Sequence, residues 1–426
     1  MPNVQELKAQ LMSGAYDDRL RRVYVTEDAV QEQRARYAAL AETFASLYNA
    51  DRDVRLFSAP GRTEVGGNHT DHNHGRVLAA GINLDAAAAA AKNDENIVRV
   101  KSAGYDMDVV DLSDLSVHKN ERGHSPALVR GMCRGFLNHG YKIGGFDAAT
   151  VSQVLSGSGL SSSAAYEVLV GVMLNALYND GAADAVTIAK IAQYAENEYF
   201  GKPCGLMDQT ACAVGSFVTI DFADPKNPAI EEVKFDFTAC SHALCIVDTK
   251  GSHSDLTDEY AYIREEMESV AQCFGKTVLR EVPEADFYAA LPSLRKKVGD
   301  RAILRAMHFY ADNARVLKEV AALRAGDFES FKQYIRESGF SSFMYNQNVF
   351  SVKKPQEQPV ALALAVSQQV LEGRGAWRVH GGGFAGTIQA FVPLDLLEAY
   401  KSAMESVFGA GTCYVLSIRP VGGVEI

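Results

Sequence analysis

Residues 156–165 read SGSGLSSSAA, a glycine-rich turn leading into three serines and the apolar stretch YEVLVGVMLNALY. Gly157 and Gly159 let backbone approach a ligand closely. The N–H groups of Leu160, Ser161, Ser162 and Ser163 then stand at a helix entrance, where free amides and the helix dipole favour an anion. A serine hydroxyl there can also reach a metal ion. The stretch lacks the lysine of the G-x-x-x-x-G-K-[ST] loop, and a serine-capped helix accounts for the same residues with no ligand at all. APGRTEVGGNHTDHNHG, residues 59–75, gathers Arg62, Glu64, Asn68, His69, Asp71, His72 and His74 around tight glycine turns. Short polar side chains of this kind suit a hydroxyl-rich substrate, because each sugar hydroxyl both donates and accepts. The three histidines also permit a metal site or plain solvation, although their spacing matches no helical H-x-x-x-H pair. In GKPCGLMDQTACAVG, Asp208 falls just inside an apolar helix start, as a first-turn charge or as a base in a low-dielectric wall. AENEYFG puts Glu196 and Glu198 at a helix end, where acids oppose the dipole and ask for a cation. HGGGFAGT is a further glycine turn, explicable as a strand connection needing positive φ.

The elements that position these residues follow from periodicity. Residues 1–50 read as helices, with VQELKAQLMSG followed by DAVQEQRARYAALAETFASLYN. From DVRLFSAPGRT onward short strands and glycine turns take over. The six alanines 86–91 favour helix by propensity, but their flanks and the strand-like NIVRVKSA favour a sheet. SPALVRGMCRGFLNHGY and residues 161–178 read as helices and GFDAATVSQVL as a strand. DAVTIAKIAQYAENEYFG is an amphipathic helix with Asp184 as cap and Gly201 as stop. Beyond about residue 220, strands such as GSFVTIDF, ALCIVDTK and WRVH alternate with long helices. At 426 residues the pattern implies an α+β protein of two domains, 1–220 and 221–426, with the boundary near 215–225. Hydrophobic content of 47% and charged content of 22% are those of a soluble globular chain. A net charge of −11 argues against nucleic acid or an anionic membrane as partner. The N-terminus has no apolar signal region and no run is long enough to span a bilayer. Seven scattered cysteines fit a reduced, cytoplasmic setting.

Taken in order, APGR…HTDHN, GSGLSSSAA, AENEYFGKPCGLMDQ and HGGGFAG resemble the sugar signature, phosphate loop, catalytic-aspartate stretch and third motif of the galactokinases, members of the GHMP family of small-molecule kinases. The resemblance runs from about residue 50 to the C-terminus. It implies an N-terminal α/β domain of the ribosomal S5 domain 2-like type, a ferredoxin-like C-terminal domain, and an active site in the cleft between them. By that pattern Asp208 takes the proton from the anomeric hydroxyl of the sugar, and Arg62 beside it lowers its pKa and stabilises developing charge. Gly157, Ser158, Gly159, Leu160, Ser161, Ser162 and Ser163 hold the phosphates of ATP. Ser163 and Glu196 hold Mg2+ through hard oxygens, which supplies the cation that Glu196 asks for. His69 and Asp71 bind ring hydroxyls, with Gly205 and Tyr260 as further contacts.

Three departures from the family pattern stand out. R-x-N-L-I-G-E-H is here RTEVGGNH, so Glu64 and Asn68 exchange places. Asn68 then occupies the place of a glutamate that in the family binds the 6-hydroxyl, and Gly66 and Gly67 permit a chain reversal that returns Glu64 to the same wall. SPALVRG lacks the tryptophan of the W-x-x-Y-x-x-G helix, and Ala385 replaces a glycine of the third motif. The resemblance implies ATP-dependent phosphorylation of galactose by a monomer or weak dimer. Its rivals are a sister sugar 1-kinase acting on galacturonate or N-acetylgalactosamine, and a non-catalytic sugar sensor. The intact LSSSAAYEV and the presence of Asp208 argue against the sensor.

Overall fold

The computed structural model describes residues 2–154, 159–251 and 256–426. Among them run strands β1 (Arg55–Gly66), β2 (Arg76–Lys92), β3 (Ile97–Ser102), β4 (Met107–Asp111), β5 (Phe146–Ser152), β6 (Phe217–Asp221), β7 (Ala229–Val233), β8 (His242–Asp248), β9 (Ala376–His380), β10 (Thr387–Pro393), β11 (Cys413–Leu416) and β12 (Val424–Glu425). The chain forms two compact units, each assembled from separate stretches. The first holds the chain up to Arg62, Gly81–Ser216 and Arg419–Ile426; the second holds Thr63–Ala80 and Phe217–Ile418. Strands β1 and β2 each contribute to both units.

In the first unit the strand order is β12-β1-β2-β5-β3-β4. The alanine run is strand, as its flanks predict: Ala86–Ala91 pair antiparallel with Asp147–Ser152 of β5. Every alanine of the run is buried, at 4% exposure or less. Ala87, Ala89 and Ala91 meet Leu7, Leu20, Tyr37 and Phe44 of the N-terminal helices Val4–Met12, Asp17–Tyr24 and Glu27–Leu47. Alternate residues of a strand face opposite sides, so a run of small residues buried on both sides lets helices seat closely. That packing outweighs alanine's weak helical preference.

The helix Ser162–Asn179 follows the serine-rich stretch, with Ser161 in a left-handed conformation at its N-cap (φ 60, ψ 62). Helix Ala185–Tyr194 is capped by the Asp184 side chain, which accepts from the Thr187 amide at 2.7 Å. The predicted helix does not run unchanged to Gly201. Its last turn, Ala195–Phe200, widens into a π-helix, closed by Gly201 at φ 83. Single π turns of this type gather at functional sites. A short helix, Met207–Val214, then carries Asp208 in its first turn.

In the second unit Arg76–Ala80 of β2 pair with β6, and β6 with β7. A separate four-stranded antiparallel sheet has the order β11-β8-β10-β9. Helices Pro359–Leu371 and Leu397–Phe408 pack on it through Val360, Ala363, Leu371, Tyr400 and Met404. This is the ferredoxin-like arrangement the resemblance implies. Helices Thr257–Gln272 and Asp300–Arg324 share a core of Ile263, Met267, Ala306 and Phe309. No helix among the described residues is long and apolar enough to cross a membrane.

Candidate active site

In the first unit, Arg62 and Asp208 meet across 146 residues of sequence. Arg62 Nε and Nη2 donate to Asp208 Oδ1 and Oδ2, both at 2.7 Å, the bidentate geometry that guanidinium and carboxylate share. The Ser161 hydroxyl donates to Oδ2, and Arg62 Nη1 donates to the Gly159 carbonyl. Burial alone would raise the Asp208 pKa; Arg62, by charge and then by hydrogen bonds, together with Ser161, reverses this and holds it below the usual carboxylate range. The side chain is 32% exposed, so the carboxylate is ionised and within reach of a ligand. Leu160 is fully buried, and its carbonyl accepts from the Arg62 amide at 3.0 Å, tying the serine-rich stretch to β1. Ser162 and Ser163 are half-buried and Gly205 is exposed. Gly157 and Ser158 lie outside the described residues.

Glu196, on the π turn, is 2% exposed. Its Oε1 faces the Ser163 hydroxyl at 3.4 Å and the Lys202 ammonium at 3.1 Å. Its Oε2 accepts from Gln209 Nε2 at 2.7 Å. Gln209, next to Asp208 in sequence, also donates to Glu167 Oε2 at 3.2 Å. Burial and then the Glu196 charge push the Glu167 carboxyl well above the usual range. Its Oε1 has no partner among the described residues. Two hard oxygens, from Glu196 and Ser163, converge beside the helix entrance, the donor type Mg2+ prefers. Among the described residues no group of three or more His, Cys, Asp or Glu side chains stands together as a metal cluster.

In the second unit the structure brings Glu64 and Asn68 together. Asn68 Nδ2 donates to Glu64 Oε1 at 2.9 Å and to the Gly381 carbonyl at 2.8 Å. Its Oδ1 accepts from Asn348 at 2.9 Å and Ser342 at 3.3 Å, so the amide is fully engaged, and the residue is buried. Glu64 pairs with the fully buried Arg378 at 2.6 Å. His69, at φ 57, places Nε2 2.9 Å from the Gly382 carbonyl. Tyr260 donates to the Gly383 carbonyl at 3.0 Å and packs edge-on against Phe384. Burial pushes its phenol up to about 12. Asp71 lies in a single 3-10 turn, Asp71–Asn73, after the signature. The glycine turn of HGGGFAG thus anchors His69, Asn68 and Tyr260. Sequence reasoning gave no role to Lys202, Gln209, Glu167 or Arg378. Only Gln209 and Lys202 carried a local signal, by lying within the aspartate stretch.

Two family models match the chain: the galactokinase galactose-binding signature over residues 42–92, and the GHMP kinases N terminal domain over residues 127–216. A galactokinase of Streptomyces coelicolor is 33% identical over 371 residues, 87% of this chain and 92% of that protein. The fold is similar to that of Lactococcus lactis galactokinase complexed with galactose, with TM-score 0.75 and 24% identity over 92% of this chain and all of that one. It is also similar to Methanococcus jannaschii mevalonate kinase, with TM-score 0.61 and 12% identity over 87% and 99% of the two chains.

Proposed function

The chain belongs to the galactokinase family of GHMP kinases, and from that premise we propose that it transfers the γ-phosphoryl group of ATP to the anomeric hydroxyl of galactose, with Asp208 as base. The observation that carries the reading is the Arg62–Asp208 pair, a carboxylate held ionised by a bidentate arginine beside a serine-rich helix entrance. Asp208 accepts the proton of the sugar hydroxyl as its oxygen bonds to the γ-phosphorus and the bond from that phosphorus to the leaving ADP oxygen breaks. A carboxylate of lowered pKa is a weak base, so the proton moves late, once the O–P bond is largely formed. Arg62 fixes the carboxylate's orientation and offsets charge in a reaction that depends mainly on positioning and electrostatics. The entrance of helix Ser162–Asn179, whose first-turn amides have no partner within the helix, suits the phosphates. Ser163 and Glu196 would hold Mg2+, whose contribution when bound is to screen phosphate charge. His69, Asp71, Gly205 and Tyr260 are assigned to the sugar, with Glu64 and Asn68 shaping that wall. Seven free thiols fit a reducing, cytoplasmic setting.

The test is ADP release from MgATP across a sugar panel. Turnover confined to galactose and its close epimers supports the reading; turnover with none of the sugars overturns it.

A further inference from the structure

Lys202 and Ser163 converge on a single oxygen of Glu196, Oε1, while Gln209 pins the other. Backbone geometry fixes this approach. Gly201 turns the chain left-handed after the π turn, and the Lys202 amide donates to the Glu196 carbonyl at 3.2 Å. The lysine therefore folds back over the residue whose carboxylate it meets. Its own side chain is 63% exposed, whereas that of Glu196 is 3% exposed. An ammonium so exposed leaves its partner at small cost, since exposed ion pairs contribute only a few-fold to an equilibrium. A carboxylate so buried does not move to follow it.

We infer that Lys202 is a tethered competitor of the divalent ion: ammonium and ion contend for Oε1 of Glu196, and this contest sets how much magnesium the enzyme requires. The inference rests on the reading of Glu196 as a metal ligand. Two effects act in the same direction. The ion must displace the ammonium, and the displaced ammonium, still tethered, repels the ion. Removing the lysine charge therefore tightens ion binding. An arginine keeps the charge and preserves the contest.

Mn2+ serves as the probe, its free concentration read by electron paramagnetic resonance with ADP saturating for each variant and no turnover. Lys202→Met is expected to bind Mn2+ about three- to tenfold more tightly. Lys202→Arg should bind as the parent does, and Glu196→Gln at least about tenfold more weakly. With the galactose KM unchanged, the magnesium concentration for half-maximal rate should fall in Lys202→Met. Mn2+ affinity that is unchanged or weaker in Lys202→Met, alongside the expected loss in Glu196→Gln, overturns the competition and leaves the metal assignment standing. Unchanged affinity in Glu196→Gln overturns that assignment instead. Lys202→Gln, uncharged and polar, repeats the measurement should the methionine variant fold poorly.

Discussion

The Asp208 carboxylate accepts two hydrogen bonds from Arg62 and one from Ser161, and each favours its ionised form. Asp208→Asn keeps the size of the side chain but removes the proposed base. It should leave galactose binding intact while kcat falls by at least about 100-fold, the lower end of general-base catalysis. A purified variant retaining more than half the parent rate would show that the base lies elsewhere. The wall proposed to face the sugar lies in the second unit. Arg378 is fully buried against Glu64, and both amide hydrogens of Asn68 are taken. A 6-carboxylate on the sugar would find no free donor on Asn68, and the Glu64 charge would repel it. Galactose should therefore exceed galacturonate by at least about tenfold in kcat/KM, roughly 1.4 kcal/mol. Equal or reversed preference in an ADP-release assay would make an acidic sugar the substrate. That Arg62 stands beside Asp208, and Ser163 beside Glu196, was legible from short motifs read through the family resemblance rather than from residue types alone. Arg378 was not, because its meaning comes from Glu64, 314 residues away, and nothing local in WRVH marks that pairing.

The π turn Ala195–Phe200 links these residues to the backbone that aims them. The sequence reads as one continuous amphipathic helix to Gly201, since period and capping are satisfied throughout. What periodicity does not carry is one extra residue in the last turn. That shift, closed by Gly201 at φ 83, turns Glu196 inward and brings Lys202 back above it. A side chain at Gly201 pays the left-handed penalty, about 1–2 kcal/mol, and the nearest atoms belong to the flexible Arg122 side chain, so strain rather than collision dominates. Gly201→Ala should lower the melting temperature by a few degrees and weaken Mn2+ binding, whereas Gly201→Asn should lose less on both counts. Calorimetry and the Mn2+ titration check the pair; a variant with unchanged ion affinity would uncouple the turn from Glu196. The alanine strand shows the opposite balance. There the flanking pattern was sufficient, because burial on both sides selects small residues whatever their propensity.

At the scale of the whole molecule, the chain leaves the first unit after Arg62, returns at Gly81, leaves again after Ser216 and returns at Arg419. The first two crossings lie inside strands β1 and β2, with no linker composition to betray them, and only the change of pattern near residue 220 was visible in the sequence. Stability against pH gathers effects from such long-range packing, and Glu319 makes it measurable. Its carboxyl is fully buried in helix Asp300–Arg324, with neither oxygen partnered among the described residues. It lies against Gly66, where a Cβ would find no room. Burial, then the Asp312 charge, raise its pKa to about 8; Arg378 and Arg315 pull the other way and Glu64 adds a further rise. An unfolded glutamate titrates near 4.3. Below that value both states hold the proton and Glu319 adds no pH dependence to stability. As pH rises the unfolded state releases its proton first, so folding stability falls, and the fall ends only above the folded pKa, near pH 8. The slope in this window approaches 1.4 kcal/mol per pH unit. Glu319→Gln removes the titration and leaves its packing nearly unchanged, so its melting temperature should decline less steeply from pH 5 to pH 8 than the parent's. The comparison of slopes cancels any fixed cost of the buried amide. Parallel curves for the two proteins would show that Glu319 is ionised in the folded state at neutral pH, its charge balanced by Arg378 and Arg315.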